Sequence, residues 1–231
     1  MGLTIEVGAL ATLLEDDAEG ARYIEEQLGK VNAVLRDAGL PQHDEPRTLG
    51  PEHRWSADMW GYSGLHYLRR IAAHLAFGRP LPPPGTDEDT DDPLIDRYIA
   101  DVGVDDAGWL KRMVRMPRPR RDFDHLIIHG DAEGFYMPFD FAEVLDTDPE
   151  LEIAGGLIGS SVRLLRECDR LASALGIPDD IDSEDEALWE AADAQGEGEG
   201  WRRYGVEAFT CVRLREAARQ SVASGSVIVF M

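Results

Sequence analysis

The sequence predicts an α+β fold, in which several amphipathic helices pack on a small sheet formed by a central hairpin and a C-terminal strand. Three observations lead to this prediction. Apolar residues recur at helical spacing in several segments. Short alternating or apolar runs bounded by turn residues are typical of strands. The chain has 231 residues, of which 43% are hydrophobic, and this is enough to bury a sizeable core.

The helices are predicted from apolar periodicity together with glycine and proline stop signals. The helix that begins at Ala18, for example, ends before Gly39 and Pro41. Ser183 with Glu186 three residues later forms a capping box, which is typical of a helix start. The predicted helices cover residues 9–16, 18–38, 62–78, 94–102, 160–175, 183–195 and 201–225.

The strands are predicted at the two ends of the chain and in its middle. Residues 3–7, LTIEV, alternate, and the chain closes with SVIVF. In the middle, residues 123–130 and 134–141 read as two strands of a hairpin whose turn contains Gly130, Asp131 and Glu133. Residues 41–61 are polar and proline-bearing, and we expect them to form a loop.

The whole chain, residues 1–231, is expected to form a single domain. Residues 79–121 differ from the rest because a stretch rich in proline and acids is followed by a basic one. Such a segment buries little apolar surface, so we expect it to be an exposed insertion whose two halves neutralise each other.

The composition is strongly acidic, with 45 acidic against 23 basic residues and a net charge of −22. Such a chain repels nucleic acid and anionic membranes on average, so the expected partner is a basic protein, with no nucleic acid and no membrane. The alternative is that the charge only maintains solubility. Two cysteines in apolar helical patterns are expected to be buried free thiols in a reducing cytoplasm. The oligomeric state is not predicted.

The stretch HLIIHGDAEGFYMP, residues 125–138, carries the first candidate site. In a strand His125 and His129 would lie about 13 Å apart, too far to bind one metal ion directly. A turn beginning at Gly130 would instead bring His129 toward Asp131 and Glu133. Those three residues are the candidate catalytic group, and His125, His129 and Asp131 are the candidate ligands of a divalent metal. The alternative is an ordinary hairpin turn.

A second candidate site lies at the predicted helix 62–78. His66, Arg70 and His74 are spaced by four residues and share one face, where they could receive a carboxylate or phosphate. The preceding loop adds the aromatic residues Trp60 and Tyr62 as candidate ligand contacts, because such residues are common at binding surfaces. The alternatives are a solvated polar face and a set of core aromatic residues.

Residues 155–161, GGLIGSS, lead into a predicted helix, whose first backbone N–H groups suit an anion. They match neither the phosphate-binding loop nor the dinucleotide fingerprint. The alternative is close packing of a strand on a helix, with Ser160 or Ser161 as the N-cap.

Four stretches together resemble an uncharacterised protein family of bacteria and plants. They are GLTIEVGALATLLEDDAEGA, YSGLHYLRRIAAHLAFG, HGDAEGFYMPFDFAEVL and GGLIGSS. The resemblance covers most of the chain outside residues 79–121. It implies a single-domain soluble protein and supplies no activity, cofactor or catalytic residue.

The function that the sequence favours is a soluble acidic binding or adaptor protein, with an immunity-like role as one version. The first alternative is a hydrolase that uses metal-assisted or acid/base chemistry at His129, Asp131 and Glu133. The second is a sensor of a small anionic ligand. Whether the protein is an enzyme is left open at this stage.

Overall fold

A computed structural model of the protein describes residues 3–86, 92–102, 122–130 and 133–230. Within these ranges, none of the helices has the length and apolar character that crossing a membrane requires. The fold is α+β, as predicted, but its sheet is larger than expected.

The six strands of the described residues form one mixed sheet in the order β2-β1-β6-β3-β5-β4. Strand β3 lies in the middle, antiparallel to β6 and parallel to β5. The strands are β1 (Thr4–Val7), β2 (Trp55–Asp58), β3 (Gly134–Met137), β4 (Leu145–Asp146), β5 (Leu157–Ser160) and β6 (Ile228–Phe230).

Helices cover both faces of the sheet. The helices of the described residues are α1 (Ala9–Asp16), α2 (Ala18–Asp37), α3 (Gly61–Ala76), α4 (Pro93–Val102), α5 (Asp124–Ile127), α6 (Ser161–Leu175), α7 (Glu186–Asp193) and α8 (Gly205–Ser224). Helices α1 and α2 share a core with one face, whereas α3, α6, α7 and α8 share a core with the other. The strands alternate accordingly: Tyr136 belongs to the second core, and Phe135 and Met137 belong to the first.

The predicted central hairpin is wrong. Residues 124–127 form the short helix α5 instead of a strand, and β3 pairs with β5 and β6. The reason is tertiary: both carboxylate oxygens of Glu167 on α6 accept hydrogen bonds from the backbone N–H groups of His125 and Leu126, at 3.1 and 2.8 Å. Arg69 on α3 donates to the carbonyls of Leu126 and His129 at the other end, at 2.7 and 2.5 Å. A short apolar run alone does not distinguish such a helix from a strand.

Two further expectations are corrected. The loop predicted over residues 41–61 contains β2, which pairs with β1 along its full length. The predicted capping box is also wrong, because Asp185 and not Ser183 caps α7, accepting a hydrogen bond from the Ala187 N–H at 2.9 Å. Ser160 does cap α6, as the packing interpretation of GGLIGSS expected.

Much of the predicted exposed insertion, residues 87–91 and 103–121, lies outside the described residues. The described parts pack against the body of the protein. Tyr98 on α4 is fully buried, and Gly85 lies against the ring of Tyr67. Gly85 also donates its N–H to the buried carboxylate of Glu207 at 2.7 Å. The single-domain organisation itself stays a prediction.

Candidate functional site

His125, the first of the two predicted histidines, lies within α5 and is 1% exposed. Its Nδ1 accepts a hydrogen bond from the backbone N–H of Ser160 at 3.0 Å, which places the proton of the neutral ring on Nε2. The ring packs edge-on against Phe141. Burial lowers the pKa of His125 to about 3, so the ring is a neutral part of the core at physiological pH.

His129, the second histidine, is equally buried and stacks on the ring of Tyr136 with 3.9 Å between ring centroids. Gly134 and Gly159 allow this close packing, since a Cβ atom at Gly134 would lie 2.5 Å from the imidazole and one at Gly159 would lie 2.4 Å from the Tyr136 ring. Burial, with a further contribution from the guanidinium of Arg69, lowers the pKa of His129 to about 4.

The predicted catalytic and metal groups are only partly described. Glu133 is exposed, whereas His129 is enclosed, and Asp131 lies outside the described residues. Across the ranges that the structure describes, no group of three histidine, cysteine, aspartate or glutamate residues is placed to hold a metal ion. A catalytic or metal-binding role for His125, His129, Asp131 and Glu133 therefore stays a prediction without a described geometry.

The predicted anion-receiving face on α3 meets a carboxylate of the protein itself. Arg70 Nε lies 3.3 Å and His74 Nε2 lies 3.5 Å from Oδ2 of Asp92. The other oxygen of Asp92 accepts a hydrogen bond from the Leu94 N–H at 2.8 Å, at the start of α4. This face thus anchors α4 to α3 through a buried carboxylate.

The remaining predicted ligand residues, His66, Trp60 and Tyr62, do not converge on that carboxylate in any described contact. The Trp60 ring is partly buried and packs against Phe209 and Trp189. Tyr62 is 52% exposed, and His66 is partly buried. A ligand-binding role for them stays a prediction.

A different feature of the described residues is a strongly acidic stretch of chain, residues 178–199, that we call the acidic segment. It contains ten acidic residues and no lysine, arginine or histidine. Nine of the ten are exposed, and within the described residues one ion pair involves them, between Glu184 and Arg213. The ten are Asp179, Asp180, Asp182, Glu184, Asp185, Glu186, Glu190, Asp193, Glu197 and Glu199.

The acidic segment is attached to α8 through the buried Arg213. The buried Arg213 donates to the carbonyl oxygens of Asp58 and Ser183 and to the carboxylate of Glu184. Its guanidinium also lies under the ring of Trp189, 4.9 Å from the ring centroid, and Trp189 packs edge-on against Phe209. These contacts hold Ser183, Glu184 and Trp189 against α8.

The far end of the acidic segment is fixed as well. The side chain of Gln195 donates to Glu207 at 2.8 Å and accepts from the Val206 N–H at 2.9 Å. The carboxyl of Glu207 is 1% exposed, and burial raises its pKa. Gly205 lies so close to α7 that a Cβ there would come within 1.8 Å of the Ala191 carbonyl oxygen. The charges of the segment are therefore presented on a preorganised support.

A second acidic stretch lies at the other edge of the sheet. Residues 140–152 carry six exposed acids, with no basic residue before Arg163. This stretch is partly neutralised, because Asp140 is bound by Arg163 and Arg166 at 2.5 and 3.2 Å. This stretch surrounds β4, at one edge of the sheet. The acidic segment is tied by Arg213 to β2, at the opposite edge. The two edge strands are separated by five strand spacings, or about 24 Å.

Residues 1–230 match the family described as "Putative DNA-mimic protein". The chain belongs to this family. No curated protein and no solved structure gives a significant match.

The family assignment corrects the functional prediction. The predicted function, an acidic adaptor with an immunity-like role and a hydrolase or an anion sensor as alternatives, is contradicted, because the family is described by its mimicry of DNA, which fits acidic protein binding only loosely. The partner prediction is corrected too, because it did not name DNA-binding proteins, although the basic partner that it did name fits DNA mimicry. Mimicry of DNA directs attention to proteins whose ligand is DNA.

The acidic segment is what the sequence reasoning missed. Its signal was present, since ten acids without a base between Pro178 and Gly200 stand out in the printed sequence. The charge was interpreted as a property of the whole chain, and residues 183–195 only as a helix. The exposure of these carboxylates, and the near absence of basic partners, became visible only in the fold.

Proposed function

We propose that the protein occupies the DNA-binding surface of a DNA-binding protein and competes there with DNA. The observation that carries this proposal is the acidic segment, whose exposed carboxylates are almost free of basic partners among the described residues. The family description supports the same function.

The charge density of α7 supports the proposal quantitatively. Its eight residues rise about 12 Å at about 1.5 Å per residue and carry Glu186, Glu190 and Asp193. That is about one charge per 4 Å, close to the one per about 3.4 Å of a single DNA strand. A surface that binds phosphates with arginine and lysine would meet carboxylates at a comparable spacing.

The rigidity of the segment also supports competition. Charges fixed before binding need little ordering when the complex forms, so less of the binding free energy is lost. We place this activity in the cytoplasm of a bacterium. The two buried free cysteines, Cys168 and Cys211, fit a reducing compartment, and the strong bias toward arginine fits a bacterial genome.

The experiment is a release assay. Proteins of a bacterial lysate are bound to duplex DNA on a resin, and the purified chain is added at constant ionic strength. We expect it to release one or more DNA-binding proteins, which mass spectrometry identifies. Release of no protein above the level given by an equally acidic unrelated protein would overturn the proposal.

Two matched variants locate the activity. The first variant removes three charges from α7 through Glu186→Gln, Glu190→Gln and Asp193→Asn. We expect it to release at least tenfold less DNA-binding protein. The second variant removes the same charge from α2 through Glu19→Gln, Glu26→Gln and Asp37→Asn. We expect it to release nearly as much DNA-binding protein as the unchanged chain. Equal losses in both would mean that net charge alone, and not the acidic segment, causes release.

A further inference from the structure

A cavity of about 450 Å³ lies where the acidic segment begins. One wall is the loop before α7, another is α8, and Trp55 at the start of β2 contributes an aromatic ring. This volume lies within the range of small-molecule sites in proteins.

One residue that lines the cavity is a buried arginine, one edge of which is unpaired among the described residues. Arg215 is 2% exposed, and its Nε and Nη2 have no hydrogen-bond acceptor among the described residues. Those two N–H groups form one edge of the guanidinium, the edge that can bind a carboxylate through two parallel hydrogen bonds. A buried charge left in this state is destabilising unless something compensates it.

Arg213, two residues earlier on α8, is a buried arginine with a structural role. It is equally buried, at 2%, but donates to two backbone carbonyls and one carboxylate. Arg215 has no such set of acceptors in the described part of the chain. This difference indicates that the guanidinium of Arg215 binds a ligand, whereas that of Arg213 stabilises the fold.

The other charged residues that line the cavity indicate which charges its ligand carries. Its lining carries four carboxylates against two guanidinium groups, so a simple anion would be repelled. Glu184 is paired with Arg213, and Glu216 lies 3.8 Å from Arg219. Asp180 and Asp182 have no ion pair with any described residue. The site therefore suits a molecule that carries one carboxylate and more than one cationic group.

We propose that this cavity binds a basic α-amino acid. Its carboxylate accepts two hydrogen bonds from Arg215, its ammonium groups lie against Asp180 and Asp182, and its aliphatic stem packs on Trp55. Because Nε and Nη2 of Arg215 are shielded from solvent, residues 180–182, which precede the contacts of Arg213 with Ser183 and Glu184, move outward to admit the ligand. This binding site goes beyond the proposed competition with DNA and does not depend on it.

The test uses the full chain and three probes in isothermal titration calorimetry. L-lysine carries the carboxylate and both ammonium groups, cadaverine lacks the carboxylate, and acetate lacks the cations. We expect one L-lysine to bind per chain, at least tenfold more tightly than either of the other two. Absence of L-lysine binding, or equal binding of cadaverine, would overturn the proposal.

Two variants separate a binding role from a structural one. Arg215→Met keeps the length of the side chain and removes the unpaired charge, so we expect the Tm to stay the same or rise while L-lysine binding falls at least tenfold. Arg213→Met is the control, and we expect its Tm to fall by about 5 °C or more, since it leaves three acceptors without their donor. A comparable fall in Tm for Arg215→Met would show that Arg215 has a structural partner, and the proposal would fail.

Discussion

At the scale of single residues, His125 in α5 and His129 just after it show how burial changes the interpretation of a motif. Spaced by four and followed by acids, they look like ligands or a proton shuttle in the printed sequence. In the fold, His125 and His129 are core residues, held by the Ser160 N–H and by the Tyr136 ring. No local pattern could predict this, because the groups that bury them lie elsewhere in the chain.

The histidines give a prediction for NMR. Burial lowers the pKa of His125 to about 3 and that of His129 to about 4, from an ordinary 6.5. We expect the imidazole C–H resonances of both to stay constant between pH 8 and pH 5, whereas the urea-unfolded chain titrates near 6.5. A midpoint above pH 6 for either ring in the folded protein would contradict this burial.

The pH dependence of stability has two opposing parts. The neutral histidines contribute stability that is fully present above pH 6.5 and is lost as the pH falls toward 4 and then 3. Burial raises the pKa of Glu167 and of Glu207, so their contribution is present at low pH and is lost as the pH rises through those raised values. Site-resolved NMR, and not global unfolding, is therefore the appropriate measurement for the histidines.

The α3 face shows how far residue-level prediction extends. Arg70 and His74, which their four-residue spacing places on one face of α3, lie near one carboxylate in the fold. The anion, Asp92, belongs to the same chain, and that could not be predicted because it depends on how α4 packs against α3.

At the scale of elements, the long helices and the two terminal strands could be predicted, whereas β2, β4 and α5 could not. Helices α2 and α6 carry several turns of apolar periodicity and clear end signals, so local sequence is sufficient to find them. Strands β2 and β4 have four and two residues, and only their pairing with β1 and β5 defines them. Helix α5 depends on Glu167 and Arg69, which lie 41 or more residues away.

The close contact between α7 and α8 at Gly205 predicts the effect of a substitution on stability, and Gly29 in α2 serves as the control position. A Cβ at Gly205 would lie 1.8 Å from the Ala191 carbonyl oxygen, whereas one at Gly29 in α2 would meet nothing within 4 Å. We expect Gly205→Ala to lower the free energy of unfolding by about 1–3 kcal/mol, because the helices must separate. We expect Gly29→Ala to raise it by about 0.5–1 kcal/mol.

Urea unfolding of the two variants checks this prediction. Equal stabilities for Gly205→Ala and Gly29→Ala would mean that α7 does not rest directly on α8. In that case the acidic segment would lack the rigid support on which the charge argument depends.

At the scale of the whole molecule, the net charge of −22 has a spatial organisation that composition does not reveal. The acidic segment lies at the β2 edge of the sheet and a second acidic stretch surrounds the β4 edge. The composition predicted repulsion of nucleic acid on average. The arrangement of the same charges, together with the family, favours imitation of nucleic acid.

Imitation by carboxylates has a consequence for salt dependence. Duplex DNA releases condensed counterions when a protein binds, so its affinity falls steeply with salt. A folded protein carries its charges at lower overall density, and we expect its affinity for the same partner to fall less steeply. The slopes of log K against log salt for the two ligands, measured by fluorescence anisotropy, check this; a steeper slope for the protein would contradict it.

The most direct test of DNA mimicry is equilibrium competition for a DNA-binding protein identified by the release assay. A fluorescent duplex is bound to the purified partner, and the chain is titrated in at several duplex concentrations. DNA mimicry predicts mutual exclusion, in which the apparent Kd of the chain rises in proportion to free duplex. A ternary complex, with the chain bound to the partner while the duplex remains bound, would contradict it.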